Sequence, residues 1–123
     1  MTRILVIDDD EQFRSMLCAR LAREGYEVSE AADGLEGMEV LDAIPCNLVI
    51  TDIVMPEKEG LETISEIRKR APEVRVIAIS GGGRMGPECY LPIAKKLGAE
   101  HTFAKPFEWE EFRRVVAELS RAA

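Results

Sequence analysis

Leu48-Val49-Ile50 is an unbroken apolar run with β-branched members, and it passes through Thr51 into the carboxylate of Asp52. That is the pattern of a strand buried on both faces, and such a strand needs helices above and below a mainly parallel sheet. Ile53 to Gly60 reads as a loop broken by Pro56 and Gly60, so Asp52 stands at the carboxyl end of its strand. Open α/β sheets place their ligands there.

The rest of the chain repeats the arrangement. Ile4 to Ile7 is a short β-branched run that breaks into Asp8-Asp9-Asp10, so a second buried strand ends in acids. From Glu11 to Glu24, Phe13, Met16, Leu17 and Leu21 recur at helical spacing, with Asp10 as a cap and Gly25 as the left-handed stop. Tyr26 to Ala31 is a weaker strand of mixed polarity, which predicts an edge position. Gly34 to Ala43 places Leu35, Met38 and Leu41 on one helical face, and Leu61, Ile64 and Ile67 form the next stripe before Pro72. Val74 to Ile79 is a fourth strand with Ser80 at its end, followed by Gly81-Gly82-Gly83 and a helix from Pro87 to about Leu97. His101 to Ala104 is a fifth strand ending on Lys105-Pro106, and Glu108 to about Arg121 is a closing helix carrying Trp109, Phe112, Val115, Val116 and Leu119. Strand and helix alternate five times, so the strands are expected to be parallel, with right-handed crossovers and helices on both faces.

The 123 residues suit one domain, residues 1–123, with no length left for an effector domain. A net charge of −7 repels phosphate backbones and anionic lipid, which disfavours nucleic-acid or membrane binding. No signal peptide and no apolar run of membrane length is visible, and Cys18, Cys46 and Cys89 are odd in number with no CxxC pair; both point to a cytoplasmic protein with reduced thiols.

In a parallel sheet the carboxyl ends of the first, third, fourth and fifth strands share one edge, which brings Asp8, Asp9, Asp52, Ser80 and Lys105 together. Two unit charges ~4 Å apart repel by about 4 kcal/mol at an effective dielectric near 20. Three carboxylates therefore need a cation or a proton between them. Oxygen donors select Mg²⁺, Ca²⁺ or Mn²⁺, and a site of few carboxylates that keeps positions for water and phosphate oxygens fits Mg²⁺ best, with Mn²⁺ as a substitute. A phosphoryl group is the natural further ligand: Lys105 neutralises one of its oxygens, the Ser80 hydroxyl bonds another, and ionised Asp52 is placed as nucleophile. Singly, each piece has a plainer explanation, because paired acids are common in solvated loops, a serine before glycines is a turn residue, and Lys-Pro marks a turn. Their order at successive strand ends is the specific signal.

On these residues the chain resembles the receiver domains of two-component response regulators, of the stand-alone chemotaxis type. The resemblance rests on Asp8-Asp9 after the first strand, Asp52 in Thr51-Asp52-Ile53-Val54-Met55-Pro56 with Gly60 beyond it, Ser80, and Lys105-Pro106-Phe107. It implies a flavodoxin-like five-stranded sheet of order 2-1-3-4-5 with five helices. It also implies that Asp52 is the phosphoacceptor, that Asp9, Asp52 and the Val54 main-chain carbonyl ligate Mg²⁺ directly with Asp8 acting through water, and that the Lys105-Pro106 bond is cis. A histidine kinase or histidine phosphotransfer protein would be the donor, and output would run through an unknown downstream protein or onward phosphotransfer, from a monomer or a weak phosphorylation-dependent dimer. Such a protein is no enzyme beyond its own phosphorylation and dephosphorylation.

Two departures stand out. The position three before the lysine, often aromatic in receivers, is Thr102, with Phe103 next to it. Val54 and Gly82, at sites that resemble those tuning phosphoryl lifetime, carry no polar side chain. Rival readings are an unphosphorylated interaction module, an Asp-based phosphohydrolase, which lacks the length for a substrate-covering cap, and a nucleotide-binding domain. The last rests on Gly81, Gly83 and Gly86 as G-x-G-x-x-G, but that run follows the fourth strand and lacks the acid a dinucleotide fingerprint requires. His101, the lone histidine, reads as a strand-end residue, and Trp109, Phe107 and Phe112 as core packing.

Overall fold

Five parallel strands form one sheet in the order β2-β1-β3-β4-β5, comprising Arg3–Ile7 (β1), Glu27–Ala31 (β2), Leu48–Asp52 (β3), Arg75–Ser80 (β4) and His101–Ala104 (β5). The helices between and after them are Glu11–Arg23 (α1), Gly34–Ala43 (α2), Gly60–Arg70 (α3), Pro87–Leu97 (α4) and Trp109–Arg121 (α5). The computed structural model describes residues 2–53, 60–81 and 87–121. The expected order 2-1-3-4-5 and five helices are what is found, and Glu27–Ala31 lies at the sheet edge, as its mixed polarity predicts.

Strand alternation sorts the apolar residues into two cores. Ile4, Val6, Leu48, Ile50, Ile77, Ile79 and Phe103 face α1 and α5, where they meet Leu17, Leu21, Phe112 and Val116. Leu5, Ile7, Val49, Val76 and Ala78 face α2, α3 and α4, where Met38, Leu41, Ile64, Ile67 and Ala94 cover them. Each fully buried aliphatic side chain contributes about 1.5–3 kcal/mol, so the polar strand ends are carried by a large apolar framework.

Local signals set the helix ends. Asp10 Oδ1 accepts from the Phe13 amide at 3.1 Å and Asp33 Oδ1 from the Glu36 amide at 2.9 Å, each satisfying a first-turn donor. Gly25, at φ +98°, ends α1 in the left-handed region as expected. Gly37 lets α2 lie against β1, because a Cβ there would strike the Ile7 side chain.

Two members of the expected apolar stripes lie open to solvent. Met16 and Leu35 are exposed, while Cys18 and Gly37 on the same helices are buried. Spacing marks a helical face only to within one residue's rotation, and the neighbouring layer decides which residues it covers. Among the described residues, no helix is long and apolar enough to cross a membrane.

Candidate functional site

The ends of β1, β3, β4 and β5 lie side by side because the strands pair in register: Ile7 opposite Thr51, Asp52 opposite Ile79 and Ser80 opposite Ala104. This brings Asp8, Asp52, Ser80 and Lys105 to one rim. Asp8 is buried, 1% exposed, and its two carboxylate oxygens are separately engaged. Oδ1 accepts from the Asp10 amide at 2.9 Å, and Oδ2 accepts from Lys105 Nζ at 2.9 Å. The same ammonium donates to Asp52 Oδ2 at 3.0 Å, so one cation bridges two buried acids separated by 44 positions in the chain.

Asp9 projects to the exposed side of this pair. Asp8, Asp9 and Asp52 each offer a carboxylate oxygen, and these atoms lie within 4.8 Å of one another. Three acids against one ammonium leave surplus negative charge, and hard oxygen donors at this spacing suit a small divalent cation. The donor set therefore fits Mg²⁺. Val54, whose carbonyl the resemblance adds to the ligands, lies outside the described residues, as do Gly82, at the other lifetime-tuning position, and Gly83 and Gly86 of the G-x-G-x-x-G run.

Burial raises the Asp8 carboxyl above the ordinary carboxylate range and the Asp52 charge adds to it, against the opposing bonds from the Asp10 amide and Lys105. For Lys105, burial works against the charged form, but the Asp8 hydrogen bond and the Asp52 and Asp8 charges outweigh it and hold its pKa above the usual lysine value. The lysine is fixed at both ends. Its amide donates to the Ser80 carbonyl at 2.8 Å, and its Nζ sits 4.1 Å from the centroid of the Phe13 ring. The Lys105-Pro106 bond is cis, as the resemblance implies.

Ser80 lies at the rim but is fully buried, at 0% exposure, in this conformation. Thr102 pairs with Ala78 and lies on the α2–α4 face of β5, whereas Phe103 turns into the opposite core and packs on Phe112 with ring centroids 5.0 Å apart. Phe103 therefore does not stand in for the missing aromatic. The described thiols are structural: Cys18 and Cys46 are free and buried, and burial pushes Cys18 up to about 11.

Sequence reasoning missed two contacts from the first turns of α1. Helical spacing marks Phe13 as a stripe residue and gives Arg14 no role, yet Phe13 lies beneath the Lys105 ammonium and Arg14 Nη1 donates to the Asp8 carbonyl at 2.7 Å. The weak signal available was their place one helical turn beyond an acid-bearing strand end. Beside them, a groove of about 300 Å³ runs between α1 and the segment after β5, lined by Phe13, Met16, Arg20, Pro106, Phe107 and Trp109. Trp109 is half-buried there with the Arg20 guanidinium 5.1 Å from its ring, so it is not the wholly core residue expected.

The family model described as the response regulator receiver domain matches residues 4–117. The chain is 35% identical over 122 residues to the chemotaxis protein CheY of Thermotoga maritima, covering 98% of this chain and 97% of that protein. It is 31% identical over 114 residues to the sporulation initiation phosphotransferase F of Bacillus subtilis, covering 93% and 90% respectively. The crystal structure of response regulator protein TrrA from Thermotoga maritima, in complex with Mg(2+)-BeF, matches with a TM-score of 0.86 at 32% identity, over 97% of this chain and 99% of that one. With its sheet order, its acid trio and a family match over nearly its whole length, this chain belongs to the response regulator receiver domain family.

Proposed function

We propose that the chain works as a single-domain cytoplasmic response regulator whose Asp52 accepts a phosphoryl group from a phosphohistidine of a histidine kinase or histidine phosphotransfer protein. The observation that carries this reading is the Lys105 ammonium bridging Asp8 and Asp52 at 2.9 and 3.0 Å beside Asp9. Asp8, Asp9 and Asp52 would hold Mg²⁺, with the Val54 carbonyl as a further ligand. Bound there, the cation would neutralise the acids and the incoming phosphoryl oxygens.

The chain's own residues then divide the work. An Asp52 carboxylate oxygen forms the O–P bond as the donor's P–N bond breaks in line. Lys105 moves from its two acids toward a phosphoryl oxygen, and Ser80 bonds another once its side chain is released from the interior. That rearrangement is the signal, and it is read by a downstream protein or passed on by a second phosphotransfer. Water later cleaves the aspartyl phosphate. The chain is thus a substrate of its own chemistry and no multiple-turnover enzyme.

The test is incubation with a small acyl phosphate and Mg²⁺, read by intact-protein mass. Wild type is expected to gain one phosphoryl group, Asp52→Asn none, and Lys105→Ala to be labelled without the accompanying conformational change. Unaltered labelling of Asp52→Asn refutes the site. Sustained release of phosphate beyond one per chain from a phosphomonoester favours a hydrolase instead. A panel of autophosphorylated histidine kinases then identifies the donor.

A further inference from the structure

We infer that Arg14, through its ion pair with Glu30, is a positioning residue that sets the acid-bearing turn for the divalent cation. The inference rests on the proposed Mg²⁺ site and adds to it a residue outside the ligand set.

Arg14 is mostly buried, its side chain 14% exposed, and it uses two different nitrogens on two different elements. Nε donates to Glu30 Oε1 on β2 at 2.8 Å, and Nη1 donates to the Asp8 main-chain carbonyl at 2.7 Å. A guanidinium is planar and rigid, so fixing Nε against Glu30 also fixes the direction of Nη1. The carbonyl it grips belongs to the peptide joining Asp8 to Asp9. On the other side of the same residue, the Asp8 amide donates to the Ala31 carbonyl at 3.1 Å. Asp8 is therefore held at its amide by β2, at its carbonyl by α1, and at its carboxylate by the Asp10 amide and Lys105.

The plane of the Asp8–Asp9 peptide determines where the Asp9 side chain leaves the backbone, and so whether its carboxylate stays near those of Asp8 and Asp52. Without Arg14 the turn keeps its Asp10 bond but loses the contact that orients this peptide. Groups that orient metal ligands in this way are worth at least about tenfold in metal affinity.

Charge and positioning predict opposite signs, which makes the inference testable. Removing a cation beside an acidic pocket strengthens binding of a divalent cation if charge alone operates, and weakens it if the lost contact is positional. Mg²⁺ alone is titrated into wild type, Arg14→Met, Arg14→Lys and the charge-balanced pair Arg14→Met with Glu30→Gln, followed by calorimetry and by the Asp9 and Asp10 amide resonances. Both Arg14→Met proteins are expected to bind Mg²⁺ about tenfold more weakly, with displaced Asp9 and Asp10 amide shifts before any metal is added. Arg14→Lys, which keeps the charge but not the fork, is expected to fall between. Denaturation midpoints report folding separately, and if Arg14→Met does not fold, the Arg14→Lys titration decides. Folded variants that bind Mg²⁺ as tightly as wild type, or more tightly, overturn the inference while leaving the Mg²⁺ site standing. A wild-type protein that binds no Mg²⁺ removes the site and the inference together.

Discussion

The two helical layers on either side of the sheet are built from different side chains. The layer of α1 and α5 is aromatic: Phe13, Phe103, Phe107, Trp109 and Phe112 form a connected set, with ring centroids 4.7 to 6.1 Å apart. The layer of α2, α3 and α4 packs small and aliphatic residues, among them Gly37, Ala94, Ile64 and Ile67. The difference reaches the pocket. The aromatic layer ends on Phe13, beneath the Lys105 ammonium, so the pocket's cation is in contact with the α1–α5 face. On the opposite face of β5, Thr102 beside Ala78 carries no ring.

The aromatic layer is most vulnerable at Phe112. Phe112 is fully buried among three of those rings, and Phe112→Ala is expected to cost about 3–5 kcal/mol in chemical denaturation. A cost below 1 kcal/mol would show that the aromatic layer does not organise that core. In the other layer, Gly37→Ala forces a methyl group against Ile7, and overpacking of this kind costs about 1–3 kcal/mol, less whatever the better helix former returns. A stabilised Gly37→Ala protein would mean that α2 is free to shift.

At the rim, Asp8→Asn is expected to stabilise the metal-free protein by on the order of 1 kcal/mol, because it removes one of three crowded charges. The sign with pH follows from the raised Asp8 pKa. The folded protein binds this proton more tightly than the unfolded chain, so stability falls as pH rises through the window from the ordinary carboxylate value to the raised one. Denaturation midpoints across the acid range should show that fall in wild type and a smaller one in Asp8→Asn. Lys105 has the complementary dependence, its contribution being full below the ordinary lysine value and lost as pH rises through its raised folded value.

The contact between the aromatic layer and the pocket is the most weakly held of these features. Phe13→Leu keeps an apolar side chain but removes the ring beneath the ammonium, at an expected cost of about 0.5–1 kcal/mol. Trp109, the single tryptophan, offers the readout. Its emission should respond to a small acyl phosphate with Mg²⁺ in wild type and respond less in Phe13→Leu. An equal response in both would detach the aromatic layer from the pocket.

How far a feature can be read from the sequence depends on how local its cause is. Apolar runs ending in Asp8, Asp52 and Ser80, helical stripes between them, and caps such as Asp10 and Gly25 are written within a few residues, because period, propensity and capping act over one or two turns. Those features determined five alternating strands and helices, a parallel sheet and an edge position for Glu27–Ala31, and so the rim where the polar strand ends gather. Contacts between distant segments were decided only by tertiary structure. Lys105 reaches Asp8 and Asp52 across 97 and 53 positions, and Arg14 joins the Asp8 carbonyl to Glu30, because strand register and helix docking set those distances. Burial of Ser80 and exposure of Met16 and Leu35 have the same origin. Periodicity says which side of an element a residue occupies, but the layer packed against that side decides what covers it.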